Sequence, residues 1–213
     1  MESAPASDVS DRATKELLCE LLRLSYVKGW VSGTGGGICG PTDDGKMFLA
    51  PTGVHKERIQ PDDFFVIDPS DCSVVASPLD QGLRPSECNP IFSACWRERA
   101  ARSVVHSHAL PAVLAADLAR DGALAIEGFE MLKGIRGLTN SDTHVVPVIR
   151  NTARESELTD QVIAALADPR YAGTFCIMVA DHGAYIWGSD VWEAKRHAEV
   201  YHWLFDGVLA RAH

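Results

Sequence analysis

The 213-residue sequence has no run of apolar residues that approaches the ~18 needed for a membrane-spanning helix. Its first ten residues, MESAPASDVS, lack the basic start and apolar stretch of a secretory signal. Cysteine is scarce: six residues are spread through the chain without a C-x-x-C pair, which argues against a disulfide framework and a zinc finger. We therefore expect a reduced, cytoplasmic protein with no membrane partner.

Positive charge is also in short supply. The chain has 20 lysines and arginines against 29 aspartates and glutamates, which gives a formal net charge of −9. Proteins that bind nucleic acid through its phosphates normally carry the opposite balance. Neither nucleic acid nor an anionic membrane is therefore expected as a partner.

The overall composition is typical of a globular protein, with 46% hydrophobic and 23% charged residues. The length fits one domain, since ~150 residues per domain is usual. Residues 1–10 are small and polar and predict a flexible tail. Residues 11–213 are expected to form a single domain.

Hydrophobic periodicity predicts helices at both ends of the chain and between groups of strands. Asp43-Asp44-Gly45 predicts a hairpin turn, and Ser86 is expected to cap a helix. Pro147 suggests that its strand is irregular or lies at an edge. This order favours an α/β fold with a largely antiparallel sheet covered by helices, rather than a βαβ repeat. The predicted helices span 11–28, 86–99, 111–120, 155–167 and 191–210, and strands are predicted at 47–50, 63–67, 73–76, 103–108, 145–149, 174–179 and 184–187.

Three histidines are candidates for metal binding. His106 and His108 are two residues apart on a predicted strand, so both imidazoles project from the same face. An isolated H-x-H pair is weak support, because such pairs arise by chance. His182 lies in a turn between two apolar strands and would complete a three-histidine site with an open position for substrate or water. The other five histidines are interpreted as surface or packing residues.

Three short segments suit an anion. The cluster Gly33-Thr-Gly-Gly-Gly37 is too compact for a dinucleotide motif, but consecutive glycines let backbone amides approach a ligand. Pro51-Thr52-Gly53 and Arg84-Pro85-Ser86 add hydroxyl groups and a predicted helix N-terminus. Each segment alone would be read as a tight turn. Together with the histidines they favour a phosphorylated small molecule, held by Gly35, Gly36, Thr52, Gly53 and Ser86.

Longer segments carry a resemblance to a known family. The chain resembles the class II aldolase/adducin superfamily, and within it the methylthioribulose-1-phosphate dehydratases. The similarity spans about residues 15–205; H-x-H and D-H-G mark the superfamily, whereas G-W-V-S-G-T-G-G-G and E-M-L-K-G-I are more specific to the dehydratases. The matching segments are KGWVSGTGGG (28–37), APTGVHKERI (50–59), PSECNP (85–90), VHSH (105–108), FEMLKGI (129–135) and DHGAYIWG (181–188).

The resemblance implies a fold, a cofactor and residue roles. The fold is a three-layer α/β/α sandwich with a central, largely antiparallel sheet, in a homotetramer with sites near subunit interfaces. His106, His108 and His182 look like ligands of one Zn²⁺ per subunit. Glu130 stands where the dehydratases have their catalytic acid/base, and Cys88 where they have a substrate-contacting cysteine. The implied reaction, part of methionine salvage, is dehydration of 5-methylthioribulose 1-phosphate to 2,3-diketo-5-methylthiopentyl 1-phosphate.

Two alternatives stay open at the level of sequence. The first is a metal-dependent aldolase that cleaves a phosphorylated ketose, because Glu87 matches the position of a glutamate that serves as base in the aldolases. The second is a non-enzymatic binding domain like the adducin head. Such a module has no reason to keep the three histidines and Glu130 together.

Overall fold

Residues 6–212, which a computed structural model describes, form five α-helices and one nine-stranded sheet. The strands lie in the order β4-β3-β2-β1-β5-β9-β8-β7-β6. The helices are α1 (Ala6–Val27), α2 (Asn89–Arg99), α3 (Leu110–Ala116), α4 (Thr159–Ala167) and α5 (Val191–Ala212), and the strands are β1 (Gly37–Pro41), β2 (Met47–Leu49), β3 (Phe65–Asp68), β4 (Ser73–Ala76), β5 (Ser103–Ser107), β6 (Ala123–Ile126), β7 (His144–Ile149), β8 (Cys176–Val179) and β9 (Gly183–Gly188).

The sheet is largely antiparallel, as predicted. Every pair of neighbouring strands is antiparallel except β7 and β8. The predicted hairpin joins β1 to β2, where the Thr42 amide donates to the Lys46 carbonyl at 3.0 Å. The central pair, β5 and β9, has a continuous register from Ser103 opposite Gly188 to Ser107 opposite Ala184.

Both faces of the sheet are covered, which makes the molecule a three-layer sandwich. Successive residues of a strand point to opposite faces. Accordingly Ile186 packs with α1, α3 and α5, which we call the first helix layer, and its neighbour Tyr185 packs with α2 and α4, the second helix layer. Burial of apolar side chains on both faces supplies the main driving force for folding. Among residues 6–212, no helix combines the length and hydrophobicity of a membrane span.

Three local expectations differ from the structure. Helix α1 begins at Ala6, so the predicted tail is helical from residue 6; residues 1–5 lie outside the described part. Small polar residues are tolerated in a first helical turn, which explains the longer helix. Strand β6 was not predicted, because Ala-Leu-Ala-Ile has little β-branched character. It is stabilised at the sheet edge by pairing with β7.

The third difference concerns Ser86, whereas Pro147 meets one of its two expected alternatives. Ser86 is not the helix cap: Cys88 directly precedes α2, and the Ser86 hydroxyl accepts from the Cys88 amide at 3.2 Å in the preceding turn. Pro147 lies in an interior strand. Its strand pairs with β6 through residues 144–147 and with β8 through residues 148–149, so the proline marks the change of partner and is an irregularity, not an edge.

We predict that Gly183→Ala lowers the free energy of unfolding by at least about 2 kcal/mol. Gly183 has a φ of 152°, and a Cβ there would lie 1.9 Å from the carbonyl oxygen of Ser107, which forces β9 away from β5. Urea denaturation measures the loss. The control is Gly173→Ala, because a Cβ at Gly173 meets nothing within 4 Å. Equal stability of the two variants would contradict the argument.

Candidate metal centre

The three predicted histidines come together at one end of the sheet. His106 is on β5, His108 follows the end of that strand, and His182 is in the turn between β8 and β9. Because β9 pairs with β5, this turn lies beside the end of β5. The Nε2 atom of His108 is 2.8 Å from that of His106 and 3.1 Å from that of His182.

A carboxylate joins the three imidazoles. Glu155 is the first residue of a 3₁₀ turn (Glu155–Leu158) that leads into α4. Its Oε1 atom lies 3.1 Å from His106 Nε2 and 3.2 Å from His182 Nε2. One donor atom from each of the four side chains lies within 4.8 Å of the other three. We call His106, His108, His182 and Glu155 the four-donor cluster.

Hydrogen bonds outside the cluster orient two of the imidazoles. His106 Nδ1 is 3.2 Å from the carbonyl oxygen of Ala184, and His182 Nδ1 is 3.1 Å from Asn151 Oδ1. The Thr152 amide also donates to Asn151 Oδ1, which fixes that atom as the oxygen of the amide. Both Nδ1 atoms must therefore carry the proton. In the neutral imidazoles the Nε2 lone pairs then face the centre of the cluster.

Burial sets the charge of the donors. It lowers the pKa of His106, and it lowers the pKa of His108 to about 3, with the neighbouring imidazoles adding to the effect. Burial alone would raise the pKa of Glu155, but the adjacent imidazoles of His106 and His182 lower it below its usual range. The cluster at neutral pH therefore contains neutral His106 and His108 and an ionised carboxylate.

This donor set fits a first-row divalent metal. Lone pairs on nitrogen atoms 2.8–3.1 Å apart repel unless a proton or a cation lies between them. In a tetrahedral site with bonds of about 2.0–2.1 Å, the ligand atoms are roughly 3.3 Å apart, close to the spacings of the cluster. Imidazole nitrogen and carboxylate oxygen are both common zinc ligands. The cluster could therefore hold a metal ion.

The cluster opens into a cavity of about 520 Å³. Side chains from five parts of the chain surround it, and most of them are polar or acidic. The lining residues are Thr52, Glu87, His108, Asn151, Thr152, Ala153, Glu155, Asp181 and His182. A small polar molecule can therefore reach the four-donor cluster from this side.

The three segments predicted to bind an anion lie around this end of the sheet. Thr52 lines the cavity, and its amide donates to the Arg84 carbonyl at 2.9 Å, which joins the second segment to the third. Gly35 packs against His108, since a Cβ at position 35 would lie 2.5 Å from His108 Nδ1. The remaining predicted members lie outside the cavity lining: a Cβ at Gly36 would meet Val31 and the His106 carbonyl, Gly53 lines a neighbouring cavity, and the Ser86 hydroxyl accepts from Cys88.

Cys88 contacts the four-donor cluster and Glu87 lines the cavity, whereas Glu130 is in neither the cluster nor the lining. The buried Cys88 thiol donates to Glu155 Oε2 at 2.7 Å, and burial raises the pKa of this thiol well above its usual value. Glu130 is exposed and pairs with Lys133, on a 3₁₀ turn (Glu130–Gly134) that packs on α5. Glu130 therefore lies at the first helix layer, whereas the four-donor cluster lies on the face of the sheet that the second helix layer covers.

Several functional side chains escaped the sequence analysis. Glu155 was expected only as the start of a helix, and nothing in R-E-S-E-L distinguishes it from Glu157. Asn151 orients His182 but belongs to no recognisable motif. Tyr185 stacks on His106 with ring centroids 4.0 Å apart, and the cross-strand pair that causes this becomes visible once the register of β5 and β9 is known.

We predict that Asn151→Ala lowers metal affinity by about 10- to 100-fold, the usual cost of losing an outer hydrogen bond to a ligating histidine. Without the Asn151 oxygen, His182 can turn or adopt the other tautomer. Competition with a chromophoric chelator measures the affinity. Asn140→Ala, at an exposed turn, is the matched control and should leave the affinity unchanged. Wild-type affinity in Asn151→Ala would show that the contact does not orient a ligand.

Comparisons with known proteins agree with this geometry. The family described as Class II Aldolase and Adducin N-terminal domain matches residues 16–208. Among solved structures, YgbL from Klebsiella pneumoniae, a putative aldolase/epimerase/decarboxylase, superposes with a TM-score of 0.77 at 18% identity, covering 94% of this chain and 90% of that one. At this identity the superposition establishes the fold alone.

Curated relatives narrow the family. A methylthioribulose-1-phosphate dehydratase from Osmerus mordax is 43% identical over 197 residues, covering 89% of this chain and 80% of the relative. The enzyme of that name from Komagataella phaffii is 38% identical over 209 residues, covering 94% of this chain and 85% of the relative. The chain therefore belongs to the class II aldolase and adducin superfamily, in the family of the methylthioribulose-1-phosphate dehydratases.

Proposed function

We propose that the protein is a zinc-dependent hydro-lyase that converts 5-methylthioribulose 1-phosphate into 2,3-diketo-5-methylthiopentyl 1-phosphate and water, in the cytoplasmic methionine salvage pathway. The observation that carries the proposal is the four-donor cluster beside an open cavity, in a chain 38–43% identical to dehydratases of this name. A purely structural module of this fold gains nothing from placing four metal-ligand atoms together.

His106, His108 and His182 would hold the zinc ion, one per subunit, with Glu155 as a further candidate ligand. A zinc ion held there would act as a Lewis acid that polarises the substrate carbonyl at C2 and so makes the C3 proton more acidic. Neutral imidazole ligands leave the positive charge of the ion undiminished, whereas ligation by the Glu155 carboxylate would reduce the charge of the site by one unit. His106 and His108 suit this task because burial keeps them unprotonated at neutral pH.

Glu130 is the proposed acid/base. Its carboxylate would remove the proton from C3, and the resulting carboxylic acid would then return that proton to the C4 hydroxyl, which leaves as water. The electron pair of the broken C3–H bond forms a C3–C4 double bond, which gives an enol. Transfer of the enol proton to C4 gives the diketone.

The position of Glu130 implies that it serves a neighbouring subunit. Glu130 lies at the first helix layer and is exposed, whereas the four-donor cluster lies on the other face of the sheet. An exposed carboxylate outside the lining of its own cavity is suited to entering the cavity of an adjacent chain. We therefore propose a homotetramer with active sites near its interfaces.

Binding of the substrate phosphate is assigned to the loops beside the cavity. Gly35, Gly36, Gly53 and Ser86 would contribute backbone or hydroxyl donors, together with Thr52 from the cavity wall. Cys88 would contact the substrate near Glu155, the side chain to which its thiol is bonded.

An aldolase is the second candidate, because Glu87 lines the same cavity as His108 and His182. A glutamate there could act as base in cleavage of a phosphorylated ketose. The two activities differ in their products. Zinc-loaded protein incubated with 5-methylthioribulose 1-phosphate should give the diketone without aldehyde fragments. Aldehyde formation would favour the aldolase, and the absence of any product would contradict both assignments.

We predict that Glu130→Gln lowers kcat by about 10²- to 10⁴-fold, the usual contribution of a general acid/base. Bound zinc should stay at the wild-type amount, because Glu130 is outside the four-donor cluster. Steady-state kinetics and metal analysis of the same preparation test both statements. Full activity in this variant would exclude Glu130 as the acid/base.

The same variant tests whether Glu130 acts across an interface. We predict that mixing refolded Glu130→Gln and His108→Ala chains restores activity, because some sites then combine an intact Glu130 from one chain with an intact cluster from another. Random assembly of equal amounts should give about one quarter intact sites. Each variant refolded alone is the control. No gain on mixing would place Glu130 in the site of its own chain.

A further inference from the structure

Lys56 is a buried cation behind the cavity, with only 3% of its surface exposed. It opens a 3₁₀ turn (Lys56–Arg58) just after the segment Pro51-Thr52-Gly53. Its Nζ atom donates to the carbonyl oxygen of Thr34 at 2.9 Å and to that of Val54 at 3.1 Å. These acceptors belong to two different loops, which we call the glycine loop (residues 33–37) and the threonine turn (residues 51–54).

The two loops joined by Lys56 are those that flank the metal ligands. Gly35 of the glycine loop packs against the His108 ring, and Thr52 of the threonine turn lines the cavity beside His108 and His182. One ammonium group therefore sets the spacing between the loop that packs against His108 and the turn that contributes Thr52 to the cavity wall. A shift of Lys56 would move both loops relative to the metal centre.

The charge of Lys56 lacks a close counterion. An ammonium group has three N–H donors, and within the described residues 6–212 the acceptors of Nζ are the two neutral carbonyls, with no carboxylate in salt-bridge distance. Burial lowers the pKa of Lys56, and the more distant charges of Glu155 and Glu57 oppose that shift. Holding a cation in such a position costs free energy unless an anion is nearby.

We propose that Lys56 is a positioning residue of the phosphate site, which fixes the glycine loop and the threonine turn around a phosphate monoester and supplies the positive charge that balances it. This inference rests on the proposed function, which places the substrate phosphate between these loops. The chain carries a net negative charge, which repels a dianionic phosphate. A buried cation beside the phosphate would offset this repulsion locally. Because solvent is excluded around Lys56, its charge is weakly screened and acts on the adjacent loops.

The test compares ligands with and without phosphate. Zinc-loaded wild type, Lys56→Met and Lys56→Arg are titrated with inorganic phosphate and with unphosphorylated 5-methylthioribulose as competitors. We expect Lys56→Met to weaken phosphate binding at least tenfold and to raise KM more than it lowers kcat. Binding of the unphosphorylated sugar should change less than threefold. Lys56→Arg keeps the charge and the donors and should restore most of the phosphate affinity.

Two further variants make the outcome unambiguous. Lys195→Met removes one lysine charge on α5, where it pairs with Glu199, and should bind phosphate like the wild type. Lys56→Gln, which keeps an N–H donor but no charge, replaces Lys56→Met if that variant does not fold. Unchanged phosphate affinity in the neutral variant, or an equal loss for both ligands, would overturn the proposal. These titrations do not depend on the reaction product, so they can succeed even if the diketone is not formed.

Discussion

Mutual repulsion among four electron-rich side-chain atoms is the constraint on which the functional end of this molecule depends. Three imidazoles and a carboxylate lie within 4.8 Å of one another, at nitrogen–nitrogen distances that lone pairs alone would oppose. The sheet holds them there: β5 carries His106, β9 pairs with β5, and the turn before β9 brings His182 alongside. A cation bound between these atoms would convert this costly arrangement into a favourable one, because it would relieve the repulsion among the lone pairs.

The strand that carries the histidines is fixed from the opposite face. Ser107 points to the first helix layer, where its hydroxyl lies 2.7 Å from His202 Nε2. The His202 ring stacks on Trp30 with centroids 4.1 Å apart, and the Trp30 carbonyl accepts from the His108 amide at 2.8 Å. The end of β5 is thus held by α5 and by the segment after α1. His202 is one of the five histidines that were interpreted as surface or packing residues. Its contacts with Ser107 and Trp30 hold the end of β5, and in this way it supports the position of His106 and His108.

What the sequence predicted follows from periodicity and local motifs. The order of the predicted helices and hairpin-joined strands was enough to predict a largely antiparallel sheet, and the H-x-H spacing on a strand was enough to place His106 and His108 together. Glu155 could not be found in this way, because a carboxylate at the start of a helix is common and its contact with His106 spans 49 residues of sequence. The burial of Lys56 could not be predicted for a related reason. A lysine in a charged turn is normally exposed, and Lys56 is buried because two loops, one of them distant in sequence, pack around it.

The net charge of −9 is compatible with binding of the proposed phosphate ester. Surface charges set the interaction with large ligands, whereas a small phosphate interacts with the few groups immediately around it. Charges on the surface are screened by salt within about 8 Å, so a polyanion that must cover a large surface meets repulsion over its whole length. A single phosphate in a cavity responds instead to the few groups around it. At the proposed phosphate site those groups would be the two glycine-containing loops, the buried ammonium of Lys56 that binds to both of them, and the metal that the four-donor cluster could hold. An acidic exterior therefore discourages large anions, while the interior of the site admits a small one.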